Sequence, residues 1–324
     1  MFTLLLSVLM ASALATPLIS LVGRRLKHKR VLVSVYAVLV LLCVFLLSIN
    51  YLLGVIGGNM VLTAYGVLPP PEGSRVKADA LSVYMALIGL GVSLLASLFS
   101  SRIVARGRVA AYFSVILGLM TGMVGVVFSE DLFTLFVFWE VMCICSYTLV
   151  CFYRERKEPI EAGYKYLIMS SAGSLSILFA LSLLYGLTGT LNFQSLSESL
   201  SRSGGNPIVH IAFLMLLVGF GLQAGMVPFH TWLPDALCAA PSAVSAIFSA
   251  CTEKTGLYCL LKVLFVIFGS HREDWRIPIA VFAVLTMFLG NISALLQDDL
   301  KRLFSYSTIA NTGYILVGIA IGTS

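Results

Sequence analysis

Ten apolar segments, each long enough to cross a lipid bilayer, restrict this chain to a helical fold embedded in a membrane. A spanning helix needs about 20 consecutive, mostly apolar residues. Charged residues make up only 11% of the chain, against about 25% in a soluble domain. We therefore predict an all-α polytopic membrane protein of about ten transmembrane helices. The predicted segments are 2–22, 31–56, 81–99, 109–128, 132–152, 162–187, 208–227, 243–268, 277–296 and 303–321.

Basic residues between these segments predict how the chain is oriented. They cluster at 24–30, 102–108, 154–157 and 301–302, which lie on one side if the helices alternate in direction. Lysine and arginine mark the cytoplasmic side, so we expect the N-terminus on the outer side. We expect the protein in the cell membrane or an inner membrane. The first segment is expected to be a retained helix, because its basic cluster follows it instead of preceding it. The formal charge of +6 reflects this topology and does not indicate a nucleic-acid partner.

The stretch 220–262 differs from the other apolar segments because it contains Pro228, Pro234 and Pro241. Proline removes a backbone donor and frees a carbonyl group. Such backbone survives at membrane depth only inside protein or beside a water-filled cavity. A broken helix is therefore predicted near residues 223–241.

Ionisable side chains inside the apolar segments are candidates for an ion pathway, since each costs about 2.5 to 3.5 kcal/mol to insert. Glu140 lies about nine positions, or roughly 13 Å, from the outer end of its segment, so it must face a partner or water. Lys254 lies near mid-segment, where burial and a nearby carboxylate can prepare an ammonium group to release and rebind a proton. Glu253 points about 100° away from it, so the sequence does not require the two to pair. The main candidates are Glu140, Lys254, Lys165 and His230, and the secondary ones are Gln223, Asp235, Glu253 and Lys262.

Several candidates also have a purely structural interpretation, and the sequence leaves both open. Glu140 could be a protonated carboxyl group that hydrogen-bonds a neighbouring helix. Lys262 could extend its ammonium group to the outer surface. Lys165 could form a helix-surface ion pair with Glu161, four residues earlier. His230 could relay protons or serve only as a hydrogen-bonding residue near a turn.

The sequence contains no recognisable cofactor-binding motif. Seven cysteines lie mostly in apolar segments, and Cys143 and Cys145 have no matching second pair. We interpret them as core-filling thiols and not as metal ligands. No GxGxxG, P-loop or CxxC motif occurs in the sequence. Ser242 and Ser245 near His230 are the nearest approximation to a hydrolytic site, but nothing marks them as activated. We therefore expect no cofactor in this chain and no bond-making catalysis by it.

Five ordered motifs resemble those of the antiporter-like membrane subunits of respiratory complex I. The same superfamily includes the large subunits of Mrp cation/proton antiporters and the matching subunits of membrane-bound hydrogenases and their sulfur-reducing relatives. The resemblance runs from about residue 79 to residue 324. The motifs are FWEVM at 138–142, EAGYKYLIMSSAGS at 161–174, GMVPFHTWLPDALCAAPSAVSA at 225–246, EKTGLY at 253–258 and DDLKRLFSYSTIANTGY at 298–314.

This resemblance implies a fold with inverted repeats of five helices. Each repeat would contain a broken helix and a half-channel, and a central polar axis would link the half-channels. Residues 1–108 would form an N-terminal three-helix segment and 109–269 the first repeat. Residues 270–324 would supply two helices of an incomplete second repeat.

The resemblance also implies roles for individual residues. Glu140 matches the family's acidic residue on the fifth helix, and Lys254 matches its lysine on the eighth. Lys165 matches a lysine that some members carry on the sixth helix, and His230 and Asp235 fall in the signature after the break. In such proteins the glutamate modulates the pKa of a lysine, and separation of the pair drives proton transfer.

This chain departs from the family pattern in two ways. The family usually has a lysine five residues before Pro228, where this chain has Gln223. An amide can order water but holds no titratable charge, so Glu140 would need Lys254, Lys165 or a neighbouring subunit as its cation. The second departure is length. We expect that another chain completes the second half-channel, or that this member does not pump by the full family route.

Two functions are consistent with these features. The first is an ion-translocating subunit, for protons or for sodium and protons, of a complex I-like, hydrogenase-like or Mrp-like complex. Its partners would be other membrane subunits, the lipid bilayer and H⁺ with or without Na⁺, and redox chemistry in the partner subunits would drive transport. The second is a structural subunit of the same membrane arm that does not pump. A stand-alone carrier for an organic solute fits the broken helix but leaves the five motifs unexplained.

Overall fold

A computed structural model describes residues 2–22, 29–56, 61–65, 74–104, 108–202 and 206–322. Strands β1 (Val61–Tyr65) and β2 (Ser74–Ala78) form an antiparallel pair in these ranges. The basic residues predicted at 24–28 and Arg106 lie outside the described residues. The α-helices are α1 Phe2–Val22, α2 Lys29–Ile56, α3 Ala80–Ile103, α4 Val109–Phe128, α5 Leu132–Val150, α6 Lys157–Thr188, α7 Phe193–Arg202, α8 Pro207–Gln223, α9 Trp232–Ala239, α10 Ser242–Ile247, α11 Glu253–Lys262, α12 Arg272–Leu295 and α13 Leu300–Ile321.

The structure confirms the predicted fold class. Seven described helices are long and apolar enough to cross a membrane, and two shorter apolar helices cover 5–21 and 207–223. The remaining predicted segment, 243–268, is the interrupted helix α10–α11, in which π-helical turns at Phe248–Thr252 and Val263–Ile267 follow α10 and α11. The number of helices that cross the membrane stays a prediction. The break lies where the prolines predict it, between the end of α8 and the start of α10.

The connection between α6 and α8 contains a short helix. Residues 189–206 are rich in serine and glycine, yet α7 lies within them. Phe193, Leu196 and Leu200 recur every three or four residues and are buried on one face of α7, which is the spacing of an amphipathic helix. The polar residues between them make this period difficult to recognise in the sequence.

Polar N-cap residues fix where four of the described helices begin. A carboxylate or amide oxygen at the N-cap accepts a hydrogen bond from a backbone N–H group that the first helical turn leaves free. Capping alone explains why several acidic residues lie at helix ends, and no further role is needed to explain their positions. The N-caps are Asp79 for α3, Asp131 for α5, Asn206 for α8 and Asp299 for α13.

Helix α4 lies at the centre of the described bundle, and α1, α2, α3, α5 and α11 pack around it. Most residues of α4 are buried. The outward faces of the surrounding helices carry large apolar side chains, among them Leu95, Ile168 and Phe288, which are all more than half exposed. A surface of this composition is suited to lipid, and water would not be a favourable solvent for it.

A close backbone contact holds α11 against the broken helix. A Cβ atom at Gly256 would lie 2.8 Å from the Ala224 nitrogen and 3.0 Å from the Phe220 carbonyl oxygen. Only glycine fits without a shift of the backbone, as is common where membrane helices approach closely. This contact places the start of α11, with Glu253 and Lys254, beside the end of α8.

Candidate ion-transfer site

Side chains from three helices satisfy backbone groups that the break leaves without helical partners. An unpaired backbone group at membrane depth would cost several kcal/mol, so these contacts allow the chain to be irregular there. α12 and α13 therefore help to build the break and do not merely follow it. The contacts are Trp232 Nε1 to the Leu222 carbonyl (2.9 Å), the Val227 N–H to Thr286 Oγ1 (3.0 Å) and Thr312 Oγ1 to the Ala224 carbonyl (3.1 Å).

Gln223, the last residue of α8, is buried and held by an aromatic pair. Its Nε2 donates to the Tyr166 hydroxyl at 2.8 Å. The Tyr166 ring stacks on Trp232 with centroids 4.0 Å apart and planes 6° apart. The amide thus has a fixed hydrogen-bonding position where the family resemblance predicts a lysine.

Glu253 and Lys254 form an ion pair beside the break. Lys254 Nζ donates to Glu253 Oε1 at 3.1 Å, and the exposed fractions of the two side chains are 23% and 0%. Thr312 Oγ1 lies 2.5 Å from the same carboxylate oxygen. The sequence did not require Glu253 and Lys254 to pair, because they point in different directions on an ideal helix. The lysine side chain nevertheless reaches its neighbour in the structure.

The second carboxylate oxygen of Glu253 differs from the first in its surroundings. Glu253 Oε2 is buried and makes no hydrogen bond to any described residue. Buried carboxylate oxygens in native proteins are normally hydrogen-bonded to protein or to water. Oε2 is therefore the position on this pair where water or a proton can bind.

Glu140 forms no ion pair with Lys254 or Lys165 in the part of the chain that the structure describes. Its Oε1 is buried without a hydrogen-bond partner among the described residues. Lys254 and Lys165, the two cations expected for it within this chain, each contact a different carboxylate. The arrangement therefore differs from the pairing that the family resemblance implies for Glu140.

Lys165 and Asp235 belong to a second cluster of charges, which is partly exposed. Lys165 Nζ lies 3.0 Å from Glu161 Oε1 and 3.1 Å from Asp235 Oδ2, and its side chain is half exposed. The other Asp235 oxygen accepts from Arg302 Nη2 at 3.0 Å. These contacts join α6, α9 and α13 and match the surface-pair interpretation of Lys165.

His230 lies in a single 3₁₀ turn, Phe229–Thr231, within the break. Its Nδ1 is buried without a hydrogen-bond partner among the described residues. No ion pair joins it to another of the described candidates. The structure therefore places His230 within the break, without a hydrogen bond or ion pair to Glu253 or Lys254 among the described residues.

Lys262 lies in a third cluster, two turns beyond Lys254. Its Nζ is 3.0 Å from Asp79 Oδ2 and 3.7 Å from Glu130 Oε1, and only 6% of its side chain is exposed. It also lies over the rings of Phe193 and Tyr258, with 5.9 and 5.7 Å to the centroids. Of the two interpretations left open for Lys262, extension to the outer surface does not match this geometry, because two acidic residues hold its ammonium group inside.

Asp79 is the acidic centre of this third cluster. Burial alone would raise the pKa of Asp79, but the charge of Lys262 and hydrogen bonds from Ser82 outweigh burial and lower it below its usual value. Ser82 donates to Asp79 through its backbone N–H at 2.7 Å and its hydroxyl at 2.5 Å. The cluster thus keeps Asp79 ionised at neutral pH.

The sequence analysis did not identify several residues of these clusters as site residues. Thr312 and Tyr166 carry no charge, and only tertiary contacts reveal that they touch Glu253 and Gln223. Asp79 and Glu130 carry charge, but both lie at the ends of apolar segments, where a solvated residue is the ordinary interpretation. Their proximity to Lys262 depends on how the helices pack, and the spacing of residues along the chain does not show it.

Comparison with known proteins places this geometry in context. The family described as NADH:quinone oxidoreductase/Mrp antiporter, TM, matches residues 129–324. An F(420)H(2) dehydrogenase subunit N from Methanosarcina mazei is 30% identical over 82% of this chain and 54% of the relative. An NADH-quinone oxidoreductase subunit N from Trichlorobacter lovleyi is 33% identical over 84% of this chain and 57% of the relative. The chain thus spans about half the length of the curated relatives it matches.

Solved structures show the same fold. A chain of an archaeal membrane-bound sulfane sulfur reductase matches with a TM-score of 0.88 and 28% identity, covering 98% of this chain and 64% of that one. A chain of respiratory complex I from Thermus thermophilus matches with a TM-score of 0.75 and 25% identity, over 96% and 63% of the two chains. A chain of the Mrp complex from Dietzia sp. matches with a TM-score of 0.86 over 99% and 59%, and its 23% identity shows likeness of fold alone.

Proposed function

The chain belongs to the NADH:quinone oxidoreductase/Mrp antiporter transmembrane family, and from this premise we propose that it translocates ions as a membrane subunit of a redox-driven complex. It is an integral membrane protein. The two relatives compared above are named as subunits of oxidoreductases, which favours redox chemistry in partner subunits as the source of energy. We propose protons as the transported ion, alone or in exchange for sodium.

The Glu253–Lys254 pair carries this proposal. A fully buried carboxylate in a membrane helix is costly unless it has a partner, and such residues commonly mark ion pathways. Here the pair lies against a broken helix, with one carboxylate oxygen unpartnered. A proton can bind that oxygen when Lys254 moves away, and it can leave when the lysine returns, because the positive charge favours the ionised carboxylate.

We propose supporting roles for the remaining candidates. We propose that Glu140 exchanges protons with the site from α5, and that Gln223 orders water beside it through an amide that Tyr166 holds in place. Lys165 and Asp235 hold α6, α9 and α13 together at one end of the bundle. Lys262 anchors α11 to Asp79 and Glu130 at the opposite end. We further propose that the surface bearing Lys165 and Arg302 is cytoplasmic.

Ion flux in vesicles that contain the assembled complex tests this function. Lys254→Met removes the cation of the pair and Glu140→Gln removes the acidic group on α5, both with little change of volume. We expect each to lower redox-driven proton transport at least tenfold while electron transfer continues. Lys157→Met is the matched control, because it removes an exposed lysine at the start of α6. Undiminished transport in both Lys254→Met and Glu140→Gln would refute the proposal.

A structural role without transport is the second candidate, and one observation favours it. Gln223 replaces the lysine that the family resemblance predicts, and neither lysine of this chain expected beside Glu140 pairs with it. A high-resolution map of the complex separates the two candidates. Transport predicts a chain of ordered waters that reaches Glu253, whereas a structural subunit predicts a dry, closed interior there.

A further inference from the structure

A cavity of about 280 Å³ lies at the end of the bundle that carries Arg156 and Lys301. Its walls come from segments that are far apart in the sequence: the end of α3, the connection between α5 and α6, the junction of α9 and α10, and the start of α13. A ligand in this cavity would therefore contact the broken helix and three other parts of the bundle at once. Its lining includes Phe99, Ile103, Tyr153, Arg156, Ser242 and Lys301.

The two cations that line this cavity both have hydrogen-bond donors left for a ligand. Arg156 is exposed and forms no ion pair with another described residue. Its planar guanidinium group can bind two oxygens of one phosphate group. The Lys301 ammonium group donates to the carbonyls of Cys238 and Ala240 at 3.3 and 2.9 Å. Because an ammonium group has three N–H donors, one remains for a ligand.

No acidic residue lines this cavity in the described part of the chain. Two acidic residues close in sequence to its cations are held by other groups. Glu155 forms an ion pair with Arg108. Asp299, the N-cap of α13, accepts from the backbone N–H of Arg302 at 3.0 Å. The lining therefore leaves its positive charge without a balancing carboxylate, and an anion is the ligand that complements it.

An apolar stripe leads from the cavity along the outward face of α3. Ile103 and Phe99 line the cavity, and Leu95 lies one helical turn further from the basic end. Residues four apart share a helix face, and all three side chains are more than half exposed. From residue 95 to residue 103 the stripe covers roughly 12 Å of the helix. An acyl chain would pack against this surface, whereas a free anion would not.

We propose that this cavity binds the phosphate headgroup of an anionic phospholipid. Arg156 and Lys301 donate to the phosphate oxygens, the Ser242 hydroxyl supplies a further donor, and one acyl chain lies along the stripe on α3. Basic pockets between helices at a membrane surface are suited to such headgroups, and tyrosine, here Tyr153, is typical of the same depth. The lipid would join the junction of α9 and α10 to α3 and α6. This inference concerns binding and does not require that the chain transports ions.

Photocrosslinking in the assembled complex tests the site. The photoreactive amino acid p-benzoylphenylalanine replaces Phe99 at the cavity or, as a control, Tyr164, which is similarly exposed on α6 and does not line the cavity. The complex is placed in vesicles of phosphatidylglycerol and phosphatidylcholine in equal amounts, and mass spectrometry identifies the adducts. We expect phosphatidylglycerol to exceed phosphatidylcholine at least tenfold at residue 99, because the choline group adds a positive charge beside Arg156 and Lys301. At residue 164 the two lipids should differ less than twofold.

Charge variants show whether the two cations cause the preference. Arg156→Gln combined with Lys301→Gln should abolish the preference at residue 99. Arg156→Gln alone should lower it at least threefold, and this change of an exposed residue decides the test if the double variant does not assemble. The matched control combines Arg154→Gln with Lys157→Gln. It removes one arginine and one lysine from exposed positions that do not line the cavity, and it should keep the preference.

Three outcomes would overturn the inference at residue 99. They are equal labelling by the two lipids, a preference that survives Arg156→Gln, and an equal loss of preference in the matched control. Excess inorganic phosphate, compared with chloride at the same ionic strength, distinguishes the source of the phosphate group. Labelling by phosphatidylglycerol should persist, and its loss would assign the cavity to a free anion and overturn the lipid. Proton transport is not part of this test, so its failure would leave the proposed function unaffected.

Discussion

The Glu253–Lys254 contact should behave as one functional unit, and a double-mutant cycle measures this. At 3.1 Å and an effective dielectric constant of about 20, two unit charges attract by about 5 kcal/mol. Lys254 is 23% exposed, and removing both groups from water opposes the attraction. We therefore expect about half of it, roughly 2.5 to 3 kcal/mol, to appear as coupling, which corresponds to about a hundredfold in rate.

The cycle compares Glu253→Gln, Lys254→Met and the double variant in vesicles of the assembled complex. Each single variant should lower redox-driven proton uptake about a hundredfold. The double variant should lower it by about the same factor, since the second change removes a group that has already lost its partner. Electron transfer measured in the same vesicles controls for assembly, and Lys157→Met controls for the loss of one positive charge.

Independent losses would refute this reasoning. If the two residues act separately, the double variant should lose about ten-thousandfold, the product of the two single effects. Full transport by Glu253→Gln would also refute it, because an uncharged amide at residue 253 could then replace the carboxylate.

Three further predictions concern stability and packing. Gly256→Leu should prevent assembly, because its Cβ would lie 2.8 Å from the Ala224 nitrogen. The control Gly186→Leu should assemble normally, since nothing lies within 4 Å of its added Cβ. The yield of purified complex measures both. Gln223→Leu removes the hydrogen bond to the buried Tyr166 hydroxyl and should destabilise the subunit by about 1 to 3 kcal/mol, seen as a lower unfolding temperature; an unchanged temperature would contradict the role given to this amide. Burial would raise the pKa of Asp79, but the charge of Lys262 and the hydrogen bonds from Ser82 lower it below its usual value. Lys262→Met should therefore destabilise the protein at neutral pH. A lowered pKa in the folded state adds stability above the unfolded pKa of about 3.9, and this stability is lost as the pH falls through the folded value. The difference in unfolding free energy between parent and variant should therefore shrink below about pH 4. A difference that does not change from pH 3 to 7 would exclude this cause.

Much of the fold could be predicted because the signals are local. Long apolar segments and the prolines at 228, 234 and 241 specify membrane helices and a break by composition alone. The amphipathic helix α7 was missed because three apolar residues in a serine-rich stretch form a weak period. The π-helical turns in α10–α11 have no sequence signal of their own, and they become visible only when the helix is built against its neighbours.

The site was predicted less completely, because its contacts depend on packing. Glu253 and Lys254 were found as charges, but their pairing depends on the path of one flexible lysine side chain. The sequence left open whether Lys262 lies in the pathway or extends to the surface, and only the approach of Asp79 and Glu130 from other parts of the chain explains why it stays inside. Thr312 and Tyr166 are uncharged, so no pattern of ionisable residues could identify them.

The number of protons moved per electron pair in vesicles of the assembled complex tests the central claim most directly. The measurement compares the parent complex with one that carries Lys254→Met, at equal rates of electron transfer. The account predicts a ratio at least tenfold lower in the variant, because the path through the Glu253–Lys254 pair no longer carries protons. An unchanged ratio would contradict ion translocation by this subunit and leave it a structural role.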